Sequence, residues 1–95
     1  MRSDIVLDWE NFTTIDAFFK SLFEQVKAPD WHGDNLNALY DSMVVGGINE
    51  GEPPYVISNM NVSNISDDMM DFQKEVLMIF IESAIRYPGS AITIE

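Results

Sequence analysis

The only histidine of the chain, His32, stands between two acids, Asp30 and Asp34, in a short polar stretch. Two carboxylates beside an imidazole can hold a divalent metal ion or move protons during hydrolysis. A single histidine excludes any site that needs a histidine pair, and a solvated polar loop is the commoner role for such a stretch. We therefore predict no metal site and no cofactor. A small metal-dependent enzyme that uses these three residues stays open as an alternative.

Other catalytic patterns are missing from the sequence. It contains no Gly-x-Ser-x-Gly motif to expose a serine nucleophile, no glycine-rich phosphate loop followed by lysine, and no cysteine. A glycosidase-type pair could be drawn from the 16 acids, but a chain of 95 residues rarely provides the cleft that such chemistry needs. We predict that the chain is not an enzyme.

Charge is the most unusual property of the sequence. Its 16 Asp and Glu against 5 Lys and Arg give a formal net charge of −11. Such a field repels nucleic-acid phosphates and anionic membranes and attracts basic proteins, although acidic surfaces also serve solubility in general. We predict no direct nucleic-acid binding and no membrane binding, and a basic protein as the partner.

The length and composition fit one globular unit. The 95 residues, of which 46% are hydrophobic, suit a single domain over 1–95. The apolar run Ile5–Leu7 near the start is too short for the core of a signal peptide, so we expect a cytoplasmic protein.

The hydrophobic pattern predicts an α/β fold. Strands are expected at 5–7, 55–60 and 91–94, and helices at 15–26, from 34 or 35 to 46, and from 67 to just before Pro88. The order is strand, helix, helix, strand, helix, strand. Strands separated by helices favour a three-stranded parallel sheet packed against helices, with right-handed crossovers.

Some local features carry their own expectations. Thr13 and Thr14 both offer N-caps for the first helix, and Thr13 with Asp16 has the form of a capping box. Ser66 is placed to cap the third helix. The third helix is expected to be central to the core. Its apolar surface is widened by four further residues: Leu77, Ile81, Ala84 and Ile85. The methionines in the helical patterns are expected to fill the core, among them Met43, Met69, Met70 and Met78.

The second helix carries the most suggestive pattern. If it begins at Asp34, then Asp34, Asn37, Ala38 and Asp41 share one face, opposite a stripe of Leu36, Leu39, Tyr40 and Met43. Val44 and Val45 extend the first face with apolar groups that have no obvious core role, and Trp31 stands just before it. This mixture suits an interface with a cationic pocket. An ordinary solvated face, with Trp31 in the core, is the alternative.

The same segment resembles the signature of the barstar family of intracellular ribonuclease inhibitors. The resemblance rests on the run Pro29-x-Trp31-x-Gly33-x-Asn35-Leu36-x-Ala38-Leu39-Tyr40-Asp41, on the order of the elements and on the close at Ile92-Thr93-Ile94. It implies a parallel sheet packed against helices. It also implies that the second helix and the loop before it plug the active site of a small ribonuclease.

The resemblance implies roles for particular residues. Asp41 matches the main acidic anchor, which stands in for a substrate phosphate among the cationic side chains of the ribonuclease. Trp31 matches a loop aromatic over the mouth of that active site, Gly33 and Asn35 match loop positions near the contact, and Glu82 matches a second acidic contact. The family often has an acid where this chain has Asn37.

These observations lead to one hypothesis for function. The chain is expected to be an inhibitor or immunity protein that binds a basic ribonuclease or nuclease toxin one-to-one. The predicted partner-binding residues are Trp31, Gly33, Asp34, Asn35, Asn37, Ala38, Asp41, Val44, Val45 and Glu82. An acidic nucleic-acid mimic that regulates another basic protein is the alternative.

Overall fold

The structure is a computed structural model that describes residues 3–28, 33, 35–46 and 53–95. Two short helical pieces accompany the main elements: a 3-10 turn at Trp9–Asn11, and a π-helical stretch at Asp41–Val45 that continues the second helix and is called the π segment below. The strands are β1 (Ser3–Asp8), β2 (Tyr55–Met60) and β3 (Ala91–Ile94), and the helices are α1 (Ile15–Val26), α2 (Leu36–Tyr40) and α3 (Asp67–Arg86).

The three strands form a parallel sheet in the order β1-β2-β3, which confirms the predicted fold class. The register pairs Ile5 of β1 with Ile57 of β2, and Ile57 with Ile92 of β3. Each crossover between neighbouring strands contains helix, as expected for parallel strands. The carboxyl ends of the strands therefore lie at one edge of the sheet.

The core lies on one face of this sheet. Alternate strand residues are buried, among them Ile5 and Leu7 on β1 and Tyr55 and Ile57 on β2, each at most 1% exposed. The residues between them stay half-buried or exposed. A group of aromatic rings fills the space between the sheet and the helices; its members are Trp9, Phe12, Phe18, Phe19 and Phe72.

A buried amide joins the strands to this aromatic group. The side chain of Asn59 is fully buried, and its Oδ1 accepts a hydrogen bond from the indole Nε1–H of Trp9 at 3.0 Å. Its Nδ2 donates to the backbone carbonyl of Thr93 on β3 at 3.2 Å. Both polar ends of the amide are satisfied, as a buried polar group requires.

The edge strand β1 is protected by a glutamine of α1. The Gln25 Oε1 accepts from the backbone N–H of Val6, and the Gln25 Nε2 donates to the Val6 carbonyl, both at 2.8 Å. An edge strand otherwise offers free backbone groups to a second chain. The glutamine amide therefore takes the place of a neighbouring strand at this point.

The first helix has the predicted bounds, and Thr14, one of its two predicted N-caps, is the cap. The side chain of Thr14 accepts from the Ala17 N–H at 3.1 Å, so Thr14 is the N-cap and the predicted capping box of Thr13 with Asp16 is wrong. Thr14 precedes the first helical residue directly and has the extended backbone that an N-cap needs.

The third helix is less completely buried than predicted. Ser66 occupies the N-cap position, but its side chain makes no capping hydrogen bond. Met69, Val76 and Phe80 are buried, whereas four apolar residues that were assigned to the core are 45–77% exposed: Met70, Met78, Ile81 and Ile85. These four lie on the side of α3 turned away from the sheet. Among the described helices, none combines the length and the hydropathy of a membrane span.

Candidate partner-binding face

The start of α2 is set by Asn35. Its Oδ1 accepts a hydrogen bond from the Ala38 backbone N–H at 2.9 Å, which makes it the N-cap. Gly33 lies against this cap, because a Cβ added at Gly33 would stand 3.0 Å from the Asn35 Nδ2. The predicted start near Asp34 or Asn35 is confirmed. Asn35 caps the helix, and the lack of a side chain at Gly33 leaves room for the Asn35 amide.

Asp41 stands where the hydrogen-bond pattern of the helix changes. Its backbone N–H donates to the carbonyls of Asn37 and Ala38, and its own carbonyl accepts from the Gly46 N–H, five residues on, at 2.9 Å. The i→i+5 bond widens the turn that follows, a departure from α geometry that proteins often place at functional sites. The sequence pattern assumed a continuous α-helix here and did not show this change.

The π segment separates the two valines that were predicted to share the exposed face. Val45 is 57% exposed, but Val44 is only 7% exposed. The assignment of Val44 to the exposed face is therefore wrong, because the widened turn rotates its side chain towards the core. Asn37 and Asp41 are exposed as predicted, and Ala38 is half-buried.

Glu82 on α3 is brought to the same region through Tyr40. The Tyr40 hydroxyl donates a hydrogen bond to the exposed Glu82 carboxylate, and this bond and the negative charge of Glu82 are the main causes that raise the pKa of Tyr40. The charge of Asp41 raises the pKa further, whereas Arg86 opposes the effect. Two acids from different helices, Asp41 and Glu82, thus lie around one tyrosine.

Tyr40 is the residue of this face that the sequence pattern missed. The helical spacing assigned it to the buried stripe with Leu39 and Met43, which are both fully buried, but Tyr40 is 39% exposed. The signal that could have found it is its place directly before Asp41 in the signature run. An amphipathic aromatic at the border of a helix stripe can reach the surface with its polar end.

A shallow cavity of about 350 Å³ opens beside the amino end of α2. Phe19 and Phe72 contribute aromatic rings to its lining, and Asn37 brings it to the edge of the exposed face. Its remaining lining residues are Ile15, Asn35 and Leu36. The exposed face is thus bordered by an apolar depression.

Four residues of the polar stretch cannot be placed on this face. These four residues lie outside the described residues: Asp30, Trp31, His32 and Asp34. The metal-dependent alternative and the predicted partner contacts Trp31 and Asp34 depend on them, so these predictions lie outside the described residues too. Within the described ranges, no three His, Cys, Asp or Glu side chains come together as a metal site would require.

Comparison with protein families identifies the group to which this fold and face belong. The family model described as "Barstar (barnase inhibitor)" matches residues 3–93, nearly the whole chain. The chain belongs to the Barstar family. Proteins of this family are inhibitors that bind a ribonuclease, and the chain is accordingly barnase-inhibitor-like. A search of curated proteins finds no match.

The Barstar match begins at the first residue of β1 and ends at Thr93, the penultimate residue of β3, so it reaches every described element. The resemblance inferred from the signature run is therefore confirmed at the level of the family. The match concerns the family as a whole and assigns no binding role to an individual residue.

Proposed function

We propose that this chain inhibits a basic ribonuclease by binding it one-to-one and covering its active site with α2, the π segment and the loop before α2. The proposal rests above all on two exposed acids, Asp41 and Glu82, whose charges both raise the pKa of Tyr40, on a chain of the Barstar family with a net charge of −11. In this proposal the chain is a cytoplasmic, non-enzymatic immunity protein.

The chemistry of the face suits a catalytic site that cleaves RNA. Such a site gathers cationic side chains to hold a phosphate, and a carboxylate can take the position of that phosphate. Asp41 serves as this anchor in the proposal, and Glu82 as the second acidic contact. Both are exposed, so each can form an ion pair without a prior rearrangement of the fold.

The surroundings of the acids supply the rest of an interface. Val45 and Tyr40 offer exposed apolar area next to Asp41, and contacts of this kind exclude water from a charged pair. Asn37 lies on the same helix face and borders the apolar depression. Trp31 and Asp34 are included as contacts on the strength of the family signature alone.

The experiment that tests this function measures how RNA cleavage responds to the chain. The nucleases are barnase, the product of the neighbouring gene and any RNA-cleaving protein that the chain retains from its source cell. Inhibition that a non-cleavable RNA analogue relieves in proportion to its concentration supports occlusion of the active site. Retention without inhibition of any of these nucleases contradicts the proposal and favours a nucleic-acid mimic that regulates another basic protein.

A further inference from the structure

The carboxyl end of the π segment is held by two hydroxyl groups, one from Ser83 in the last turn of α3 and one from Tyr87, the residue directly after α3. The Ser83 Oγ donates to the Met43 carbonyl at 2.6 Å. The Tyr87 hydroxyl lies 2.8 Å from the Val44 carbonyl and 3.0 Å from the Val45 carbonyl, so its single hydrogen is shared between the two. The last carbonyls of any helix lack partners within the helix, and here a second helix supplies them.

Gly46 makes the approach of Tyr87 possible. Its φ of +85° lies in the region that side chains disfavour, and a Cβ added there would stand 2.6 Å from the Tyr87 Oη. The Gly46 N–H donates to the Asp41 carbonyl at 2.9 Å, which closes the π turn. One glycine thus permits both the turn and the contact with the tyrosine hydroxyl.

Ser83 and Tyr87 occupy a buried and a half-buried position, where apolar side chains would pack equally well. Ser83 is 1% exposed and lies on the buried side of α3 with Val76 and Phe80. Tyr87 follows four residues later, on the same side of the chain, and is half-buried. A serine at a core position contributes little hydrophobic burial, so its hydrogen bond to Met43 is its main contribution.

The hydroxyls act on the segment that carries the acidic anchor. The π segment begins at Asp41, and its three carbonyls nearest the carboxyl end are all bound by Ser83 or Tyr87. Hydrogen bonds that hold these three carbonyls in place also hold the π turn, which is closed by the bond from the Gly46 N–H to the Asp41 carbonyl. A binding group that is already held in its bound orientation loses less conformational entropy when it binds.

We propose that Ser83 and Tyr87 are positioning residues for partner binding, which hold the π segment so that Asp41 and Val45 are presented in the orientation that the ribonuclease requires. This inference rests on the proposed function. It adds that α3 contributes to affinity through two side chains that need not touch the partner.

The test compares Tyr87→Phe and Ser83→Ala with the wild type, using the nuclease that the wild type inhibits. Tyr87→Phe removes only the hydroxyl, and the loss of one hydrogen bond corresponds to roughly five-fold weaker binding. Gln25→Ala is the control, because it loses two hydrogen bonds at the edge of the sheet, and neither of them involves the π segment or α3. Gln25→Ala should bind like the wild type at a temperature at which both are folded and at a concentration at which both are monomeric.

A double-mutant cycle separates positioning from simple stability. Removing Asp41 in the Tyr87→Phe background should reduce affinity by a smaller factor than removing it from the wild type, because the anchor is already less well oriented. Equal factors in the two backgrounds would overturn the inference. So would a loss of affinity in Gln25→Ala that matches the loss in Tyr87→Phe.

Hydrogen exchange of the free protein provides a readout that needs no partner. The Gly46 amide should exchange about ten-fold faster in Tyr87→Phe than in the wild type, while the Leu39 amide, which donates to Asn35 at the start of α2, keeps its rate. Unchanged exchange at Gly46 would overturn the inference even if the chain inhibits a ribonuclease. If Gly46 responds as expected but no nuclease is inhibited, the proposed function fails, and with it the role in partner binding.

Discussion

Tyr40 of α2 lies beside the Glu82 carboxylate of α3, and its side-chain hydrogen bond with Glu82 and the charge of Glu82 raise the pKa of Tyr40. Glu82 lies 41 residues after Asp41 in the sequence, but both acids are near this one tyrosine. The ionisation of Tyr40 therefore reports whether Glu82 lies beside it.

Ionisation of Tyr40 should occur at a higher pH than that of an ordinary tyrosine. The hydrogen bond and the charge of Glu82 raise its pKa above the ordinary value of 10.0, since both favour the protonated phenol. The contribution of this bond to stability is fully present below pH 10.0 and is lost as the pH rises through the raised pKa. Ultraviolet titration of the tyrosines, with Tyr40→Phe used to assign the signal, measures the shift.

A matched pair of variants tests the cause of that shift. Glu82→Gln should move the Tyr40 pKa back towards 10.0, because the charge is removed while the size is kept. Glu75→Gln makes the same chemical change two turns earlier on α3, at another exposed position, and should leave the titration unchanged. Equal titration curves for Glu82→Gln and the wild type would contradict the assigned contact.

Association with the ribonuclease should depend strongly on salt. A net charge of −11 attracts a basic partner over distances that salt screens, with a Debye length of about 10 Å at 0.1 M ionic strength. We expect the association rate to fall roughly ten-fold or more between low salt and 0.5 M, while the dissociation rate changes much less. Stopped-flow mixing at several salt concentrations measures both rates, and an association rate that ignores salt would exclude electrostatic steering.

Replacing Asn59 should destabilise the fold without touching the binding face. Asn59→Leu leaves the buried Trp9 indole N–H without its partner and removes the side-chain hydrogen bond to the Thr93 carbonyl, at a cost of about 1–3 kcal/mol in the free energy of unfolding. Urea denaturation followed by circular dichroism measures the loss. Asn64→Leu, at an exposed position, is the matched control, and equal stability of the two variants would show that the buried amide contributes nothing.

Replacing Gln25 should weaken the edge of the sheet. Gln25→Ala removes two hydrogen bonds to the Val6 backbone and should lower the free energy of unfolding by about 1–2 kcal/mol. It should also increase self-association, since the edge strand is then free to pair with another chain. Denaturation and light scattering measure the two effects. The neighbouring exposed variant Glu24→Ala should change neither, and identical behaviour of both variants would argue against edge protection.

The elements of the fold could be predicted because periodicity reports which side of an element is buried. The 15–26 helix and the 55–60 strand have their predicted bounds, and the order of elements fixes a parallel sheet. Two findings could not be read from the pattern: which of the two candidate caps, Thr13 or Thr14, caps α1, and the exposure of Met78 and Ile85. A cap depends on the backbone of one residue, and exposure depends on what packs beside the helix.

The candidate partner-binding face could be predicted only in part. Spacing along α2 placed Asn37 and Asp41 on the exposed side, because that part of the helix is regular. In the π segment Val44 is buried, and the carbonyls of Met43 and Val44 accept hydrogen bonds from Ser83 and Tyr87, about 40 residues away in the sequence. No local pattern reports such a long-range contact.

The most direct test of the account compares Asp41→Ala with Asp71→Ala for binding to the inhibited ribonuclease. Both variants lose one exposed carboxylate, so their net charges are equal, but Asp71 lies on the outer side of α3. Hot-spot truncations cost about 2 kcal/mol or more, and the barnase–barstar pair is itself among the complexes behind that magnitude.

The account predicts that calorimetry or surface binding at 0.1 M salt gives an affinity at least roughly thirty-fold weaker for Asp41→Ala than for the wild type. Asp71→Ala should stay within about three-fold of the wild type, because an exposed charge away from the interface acts only through the screened field. Equal affinities of the two variants would contradict the central claim that Asp41 is the anchor that enters the active site.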